Sequence, residues 1–119
     1  MAGKILIVDD QANMCWILSK ILEEAGYSVE TAHTGSKALA IVARGGIAAA
    51  IVDYRLPDMN GIELFNTMKS AYWRIPAILI TSYGSKALRA EALREGFEGY
   101  FDKPFRNQAL VDALRSILT

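Results

Sequence analysis

Two aspartates, Asp9 and Asp10, stand side by side where the apolar run Ile5-Leu6-Ile7-Val8 stops. Three later apolar runs also end on polar groups. "IAAAIVD" ends at Asp53, "PAILITS" at Thr81 and Ser82, and "GYFDKP" runs into Asp102, Lys103 and Pro104. Singly, each has a plain structural reading. The aspartate pair is a helix cap, Thr81-Ser82 is turn chemistry, and Lys103 is a solvated lysine. Together they read differently. Like charges about 4 Å apart cost roughly 4 kcal/mol each pair even at an effective dielectric of 20, so gathered carboxylates need a raised pKa or a cation. Lys103 is one fixed cation, and an all-oxygen pocket suits Mg²⁺ or Mn²⁺.

The elements between these residues decide whether they can meet. "KILIVD" (4–9) is apolar on both faces, as a central parallel strand is. "QANMCWILSKILEEAG" follows as a helix with the stripe Met14, Leu18, Ile21, Leu22 and Ala25 and Gly26 as its stop. "YSVETA" (27–32) alternates like a strand with one poorer face. A second helix spans about 35–44 and ends at Gly45-Gly46, and "IAAAIVDY" is a buried strand. "RLPDMNG" is turn chemistry, and "IELFNTMKSAY" a third helix. "IPAILITS" is a strand opened by Pro76, where a missing N–H is tolerated. "SKALRAEALREG" is a fourth helix stopped by Gly96, "FEGYFDKP" holds a short strand, and "NQALVDALRSILT" is a last helix along Leu110, Leu114 and Ile117. Five strands alternating with five helices predict βαβ units, a parallel sheet and helices on both faces, an α/β doubly wound fold. In such a sheet the strand ends share one edge, and ligands bind beyond it.

The 119 residues fit one domain, 1–119, and 52% of them are hydrophobic, enough for one packed core. Lys+Arg and Asp+Glu balance at 13 each, so no basic excess recommends direct nucleic-acid binding. Cys15, the single cysteine, reads as an apolar helix filler, and its solitude points to the cytosol. No apolar run reaches the roughly 18 residues of a membrane span, and "MAGKILIV" lacks the parts of a signal peptide. His33 reads as a surface residue and Trp16 and Trp73 as packing residues. Val111 and Leu118 widen the apolar face of the last helix and hint at a dimer surface.

"VDD" at 8–10, "DYRLPDMNG" at 53–61, "ITS" at 80–82 and "YFDKPF" at 100–105 resemble, over essentially the whole chain, the receiver domains of two-component response regulators. "CWILSKIL" and "DKPF" look most like receivers of the nitrogen-regulation class of transcriptional activators. The resemblance implies a flavodoxin-like sheet in the order 2-1-3-4-5. It implies Asp53 as the phosphoacceptor, attacking a phosphohistidine on a sensor histidine kinase. It implies Asp10 as a direct Mg²⁺ ligand, Asp9 acting through water, and the backbone carbonyl of Arg55 as a further ligand beside Asp53. Lys103 would grip a phosphoryl oxygen and Thr81 would offer its hydroxyl to another. Thr81 and Tyr100 would form the switch: the hydroxyl moves to the phosphate and Tyr100 turns inward. The surface of the fourth helix, fifth strand and fifth helix would change and control an output domain, a partner or a homodimer. A cis Lys103-Pro104 peptide is also implied.

Two other functions compete. A pseudo-receiver would bind partners without phosphorylation, which the complete set Asp9, Asp10, Asp53, Thr81 and Lys103 argues against. A phosphatase of the haloacid-dehalogenase type would carry its nucleophile on the first strand with a second aspartate two residues on, and here residue 11 is Gln. No Gly-rich phosphate loop is present, so a signalling domain, not an enzyme, is expected.

Overall fold

The structure is a computed structural model, described here for residues 3–71 and 73–118. Five strands alternate with five helices: β1 (Lys4–Val8), α1 (Ala12–Glu24), β2 (Val29–Ala32), α2 (Gly35–Ala43), β3 (Ile47–Asp53), α3 (Gly61–Ser70), β4 (Ala77–Thr81), α4 (Lys86–Glu95), β5 (Gly99–Asp102) and α5 (Asn107–Leu118). The strands form one parallel sheet in the order β2-β1-β3-β4-β5. This is the doubly wound architecture expected from the alternation, in the flavodoxin-like strand order that the resemblance implies.

The period of two along each strand divides the core between the faces. Leu6, Val8, Ala50, Val52 and Leu79 pack with Ala38, Ile41, Leu64 and Leu88 of α2, α3 and α4. Ile5, Ile7, Ala49, Ile51, Ile78 and Ile80 pack with Leu18, Leu22, Leu110 and Leu114 of α1 and α5. Both faces are covered, so the central strands are apolar throughout. A fully buried Ile or Leu contributes roughly 1.5–3 kcal/mol, which holds register firmly and with it the positions of the strand ends. Val8 pairs with Val52, Asp53 with Ile80, and Thr81 with Asp102.

Caps set where the helices start. Asn60 accepts from Glu63 N–H while the Glu63 carboxylate takes Asn60 N–H, a reciprocal box that starts α3. Thr34 caps α2 and Ser85 caps α4. α4 ends at Gly96, whose φ of 109° is the left-handed conformation glycine adopts without a Cβ penalty.

Several expectations shift in detail. Tyr27 and Ser28 precede β2 instead of joining it, and α2 stops at Ala43 with Arg44 as its C-cap. Along α1 the fully buried stripe is Cys15, Leu18 and Leu22, with Met14, Ile21 and Ala25 only half-buried. Trp16 is not a packing residue. It is 64% exposed, because the position after Cys15 lies about 100° around the helix from the sheet-facing side. Trp73 does pack, half-buried, against the α3 side of the core. Val111 is buried within the chain's own core, so it offers nothing to a dimer surface; α5 crosses the sheet with that position turned inward. Tyr72, assigned to the third helix, and Thr119, assigned to the last, lie outside the described residues, as do Met1 and Ala2. His33 is exposed, as expected. Among the described residues no helix is long and apolar enough to cross a membrane.

Candidate functional site

The parallel register brings the ends of β1, β3, β4 and β5 to one rim, where Asp10, Gln11, Asp53, Arg55, Thr81, Ser82, Tyr83 and Lys103 line a hollow of ≈ 230 Å³. One carboxylate oxygen from each of Asp9, Asp10 and Asp53 lies within 4.8 Å of the others. The two adjacent aspartates differ sharply. Asp10 is exposed at the hollow's wall, whereas Asp9 is fully buried beneath it. Both Asp9 oxygens are already engaged: Oδ1 accepts Gln11 N–H at 2.9 Å, and Oδ2 accepts from Lys103 Nζ at 2.9 Å. Gln11, not an aspartate, is the N-cap of α1, so Asp9 is a counter-ion that also ties down the turn before the helix instead of capping it.

Lys103 bridges the cluster. Its ammonium stands 2.9 Å from Asp9 and 3.5 Å from Asp53, with both partners buried. Burial pulls the lysine pKa down, but the hydrogen bond and charge of Asp9, followed by Asp53, outweigh it and leave the group above its usual range. The Lys103–Pro104 peptide is cis.

Asp53 carries the strain of the arrangement. Burial first, then the charge of Asp9, push its carboxyl up to about 6 from an ordinary 3.8, against the opposing pull of Lys103. One lysine does not neutralise three carboxylates, so the donor set matches a hard divalent cation with oxygen ligands. A pH dependence follows. The folded chain binds the Asp53 proton more tightly than the unfolded chain, so this group's contribution to stability is full below about pH 3.8 and is lost as pH rises through about 6. Urea unfolding in chelator is expected to show Asp53→Asn gaining on the wild type by on the order of 3 kcal/mol between pH 4 and pH 7.5. Added Mg²⁺ should shrink that gap at pH 7.5. A gap independent of pH would contradict the assignment of the raised pKa.

Thr81 is buried, and its hydroxyl oxygen accepts Tyr83 N–H at 3.1 Å. Tyr100 is already turned in, only 7% exposed, with its hydroxyl donating to Asp102 at 3.0 Å. Burial, then the hydrogen bond to Asp102, raises the phenol's pKa. Gly84 leaves the space: a Cβ there would lie 2.2 Å from the Tyr100 hydroxyl oxygen. Cys15 donates to the Asp9 carbonyl at 3.3 Å, and burial followed by the Asp9 charge pushes its thiol up to about 11, an inert filler as read.

Sequence reasoning missed two contributors. Tyr83 stacks with the Arg55 guanidinium, 4.2 Å from the ring centroid, at the mouth of the hollow. Asp102 stands on a strand end yet turns away from the acidic cluster to meet Tyr100. Tyr83 depends on the loop path beyond β4, which periodicity does not signal, whereas Tyr100 and Asp102 stand two apart on β5 and share a face.

A parallel sheet of this order, with an acidic hollow bridged by a lysine at its rim, defines the CheY-like class of fold. The chain belongs to the response regulator receiver domain family, whose family model matches residues 5–115. It is 33% identical over 112 residues to the response regulator protein FleR of Pseudomonas aeruginosa, covering 94% of this chain and 24% of that protein. It is 34% identical over 116 residues to the transcriptional regulatory protein CpxR of Escherichia coli K12, covering 98% of this chain and 49% of that protein. The chain thus spans about a quarter to half the length of these curated relatives. Among solved structures, the CheY-like receiver domain protein of Methanospirillum hungatei superposes with a TM-score of 0.91 at 31% identity, over 99% of this chain and 94% of that one. The domain belongs to two-component signalling and is a signalling module, not an enzyme; the family implies a histidine kinase as partner in general. Similar identities to FleR and CpxR do not select a subclass.

Proposed function

We propose that residues 1–119 act as one receiver domain whose phosphoacceptor is Asp53, charged by a sensor histidine kinase in the cytoplasm. The observation that supports this most is the convergence of Asp53 with Asp9, Asp10 and Lys103 at one rim. A carboxylate oxygen of Asp53 attacks the phosphorus of a phosphohistidine; the P–N bond breaks, and its electron pair stays on the imidazole nitrogen. Phosphoryl transfer asks the protein mainly for positioning and charge neutralisation. Asp10, Asp53 and the Arg55 carbonyl would hold Mg²⁺ or Mn²⁺ directly and Asp9 through water, a division favoured by Asp9's two occupied oxygens. When bound, the cation would neutralise charge between the carboxylates and the incoming phosphoryl group.

Lys103 already faces Asp53 and would take a phosphoryl oxygen as a point charge. Thr81 would exchange its contact with Tyr83 N–H for a hydrogen bond to another phosphoryl oxygen. That movement would favour the inward Tyr100 packing beside Gly84 and so stabilise one state of the α4-β5-α5 surface, a population shift. An output domain, a partner protein or a second copy would read that surface. The domain would control transcription through such a partner and not by touching DNA itself. The likeness of "CWILSKIL" and "DKPF" to the nitrogen-regulation class is the support for that subclass.

Incubation with acetyl phosphate and Mg²⁺ is the direct test: a hydroxylamine-labile phosphate should map to Asp53 and vanish with chelator. A stable label elsewhere would refute the reading. Tyr100→Ala should keep labelling within about twofold of wild type, yet weaken the size shift produced by beryllofluoride with Mg²⁺. Intact coupling in that variant would remove Tyr100 from the switch.

A further inference from the structure

The loop joining Asp53 to α3 makes one contact that the phosphoryl chemistry does not use. Asp58 lies at its tip, with an exposed side chain. Both of its carboxylate oxygens are nonetheless occupied: Oδ1 accepts Gly35 N–H and Oδ2 accepts Ser36 N–H, each at 2.9 Å. These are the first two N–H groups of α2, which a helix cannot satisfy internally. Thr34 takes the next one, Lys37 N–H, at 3.0 Å. The two bonds from Gly35 and Ser36 hold the Asp58 carboxyl below its usual range, as an anion at a helix N-terminus should be held.

The neighbouring residue tightens the seat. A Cβ on Gly35 would lie 2.5 Å from the Met59 sulfur, so the Met59 side chain packs directly against the first residue of α2. At its base the loop is closed by an antiparallel bridge between Arg55 and Asn60 and by Gly61 N–H donating to the Tyr54 carbonyl at 2.7 Å. Arg55 therefore sits in a stretch tied to β3 and α3 at one end and to α2 at the other. The tie is charge-assisted and directed at backbone, unlike a mobile pair of exposed side chains.

We infer that Asp58 is a positioning residue for the phosphoacceptor site: its seat on the N-terminus of α2 fixes the loop that carries Arg55 and couples occupancy of the acidic hollow to order in the first turn of α2. This rests on the reading of Asp53 and the Arg55 carbonyl as cation ligands. Coupling of this kind is reciprocal. Whatever occupies the hollow and orders the loop also secures Gly35 and Ser36, and loosening Asp58 weakens what the hollow binds.

The test uses the whole chain, with Mg²⁺ as the probe. Calorimetry gives Mg²⁺ affinity, and amide hydrogen exchange follows Gly35 and Ser36 with and without the ion. Asp58→Ala should bind Mg²⁺ about tenfold more weakly, the scale on which outer partners of a metal site act. Asp58→Asn, which keeps one acceptor and loses the charge, should fall between that variant and wild type. Thr34→Ala removes another cap from the same helix without touching the loop, and should bind as wild type does. Mg²⁺ should slow exchange at Gly35 and Ser36 in the wild type but not in Asp58→Ala.

Wild-type affinity in Asp58→Ala overturns the inference while leaving the cation site standing. An equal loss in Thr34→Ala overturns it too, since general fraying of α2 would then suffice. A wild type that takes up no Mg²⁺ refutes the reading of the hollow itself, and the inference falls with it.

Discussion

Asp53→Asn is expected to incorporate no phosphate from acetyl phosphate or from a phosphorylated histidine kinase, while folding more stably than the wild type. The amide matches the carboxylate in size, so the buried end of β3 should keep its packing. What changes is charge. The neutral amide oxygen is a poor nucleophile toward phosphorus, which removes the chemistry at its first step. The same change relieves a carboxyl that burial and Asp9 have pushed up to about 6. At pH 7 in chelator that relief is on the order of 3 kcal/mol. Loss of labelling with a gain in stability is a signature that misfolding cannot produce. It is read by acyl-phosphate labelling and urea unfolding on the same preparation. Undiminished hydroxylamine-labile phosphate in the variant would place the acceptor elsewhere.

Lys103→Met should have the opposite effect on stability. Lys103 and Asp9 form a buried ion pair, with Asp9 fully sequestered. Among the described residues, removing the cation leaves Asp9 only Gln11 N–H as a hydrogen-bond donor to its side chain. Losing one member of a buried pair typically costs about 3–5 kcal/mol, because the survivor is stranded. The loss should be largest in chelator at neutral pH. It should shrink as Mg²⁺ is added or as the pH falls through about 6 and Asp53 takes up a proton. Phosphate incorporation should fall as well, since no fixed cation would then face the phosphoryl group. Denaturant unfolding with and without Mg²⁺ checks the first part. A variant as stable as wild type in chelator would mean that Lys103 does not offset the acidic cluster.

Much of this is legible in the amino-acid pattern. The central strands are apolar on both faces, so each is recognisable as buried, and the residue at which apolarity ends marks the rim. Asp9-Asp10, Asp53, Thr81 and Lys103 stand at such points. Helix phase was harder to read. Trp16 and Val111 are both apolar on amphipathic helices, and their local sequences do not say that one turns to solvent while the other completes the core. That depends on how each helix axis is rotated over the sheet.

Local pattern is enough for the alternation of elements, the kind of sheet they form and the residue types at its rim. Those follow from local hydrophobic pattern and from the short reach of βαβ connections. Packing between distant segments is what buries Asp9 as a counter-ion while Asp10 faces the hollow, places Tyr100 inward, and carries Asp58 across to α2. These are matters of distance between segments far apart in the chain. A carboxylate's role is set by which donors and charges lie within a few ångströms of it, and only the packed sheet fixes that.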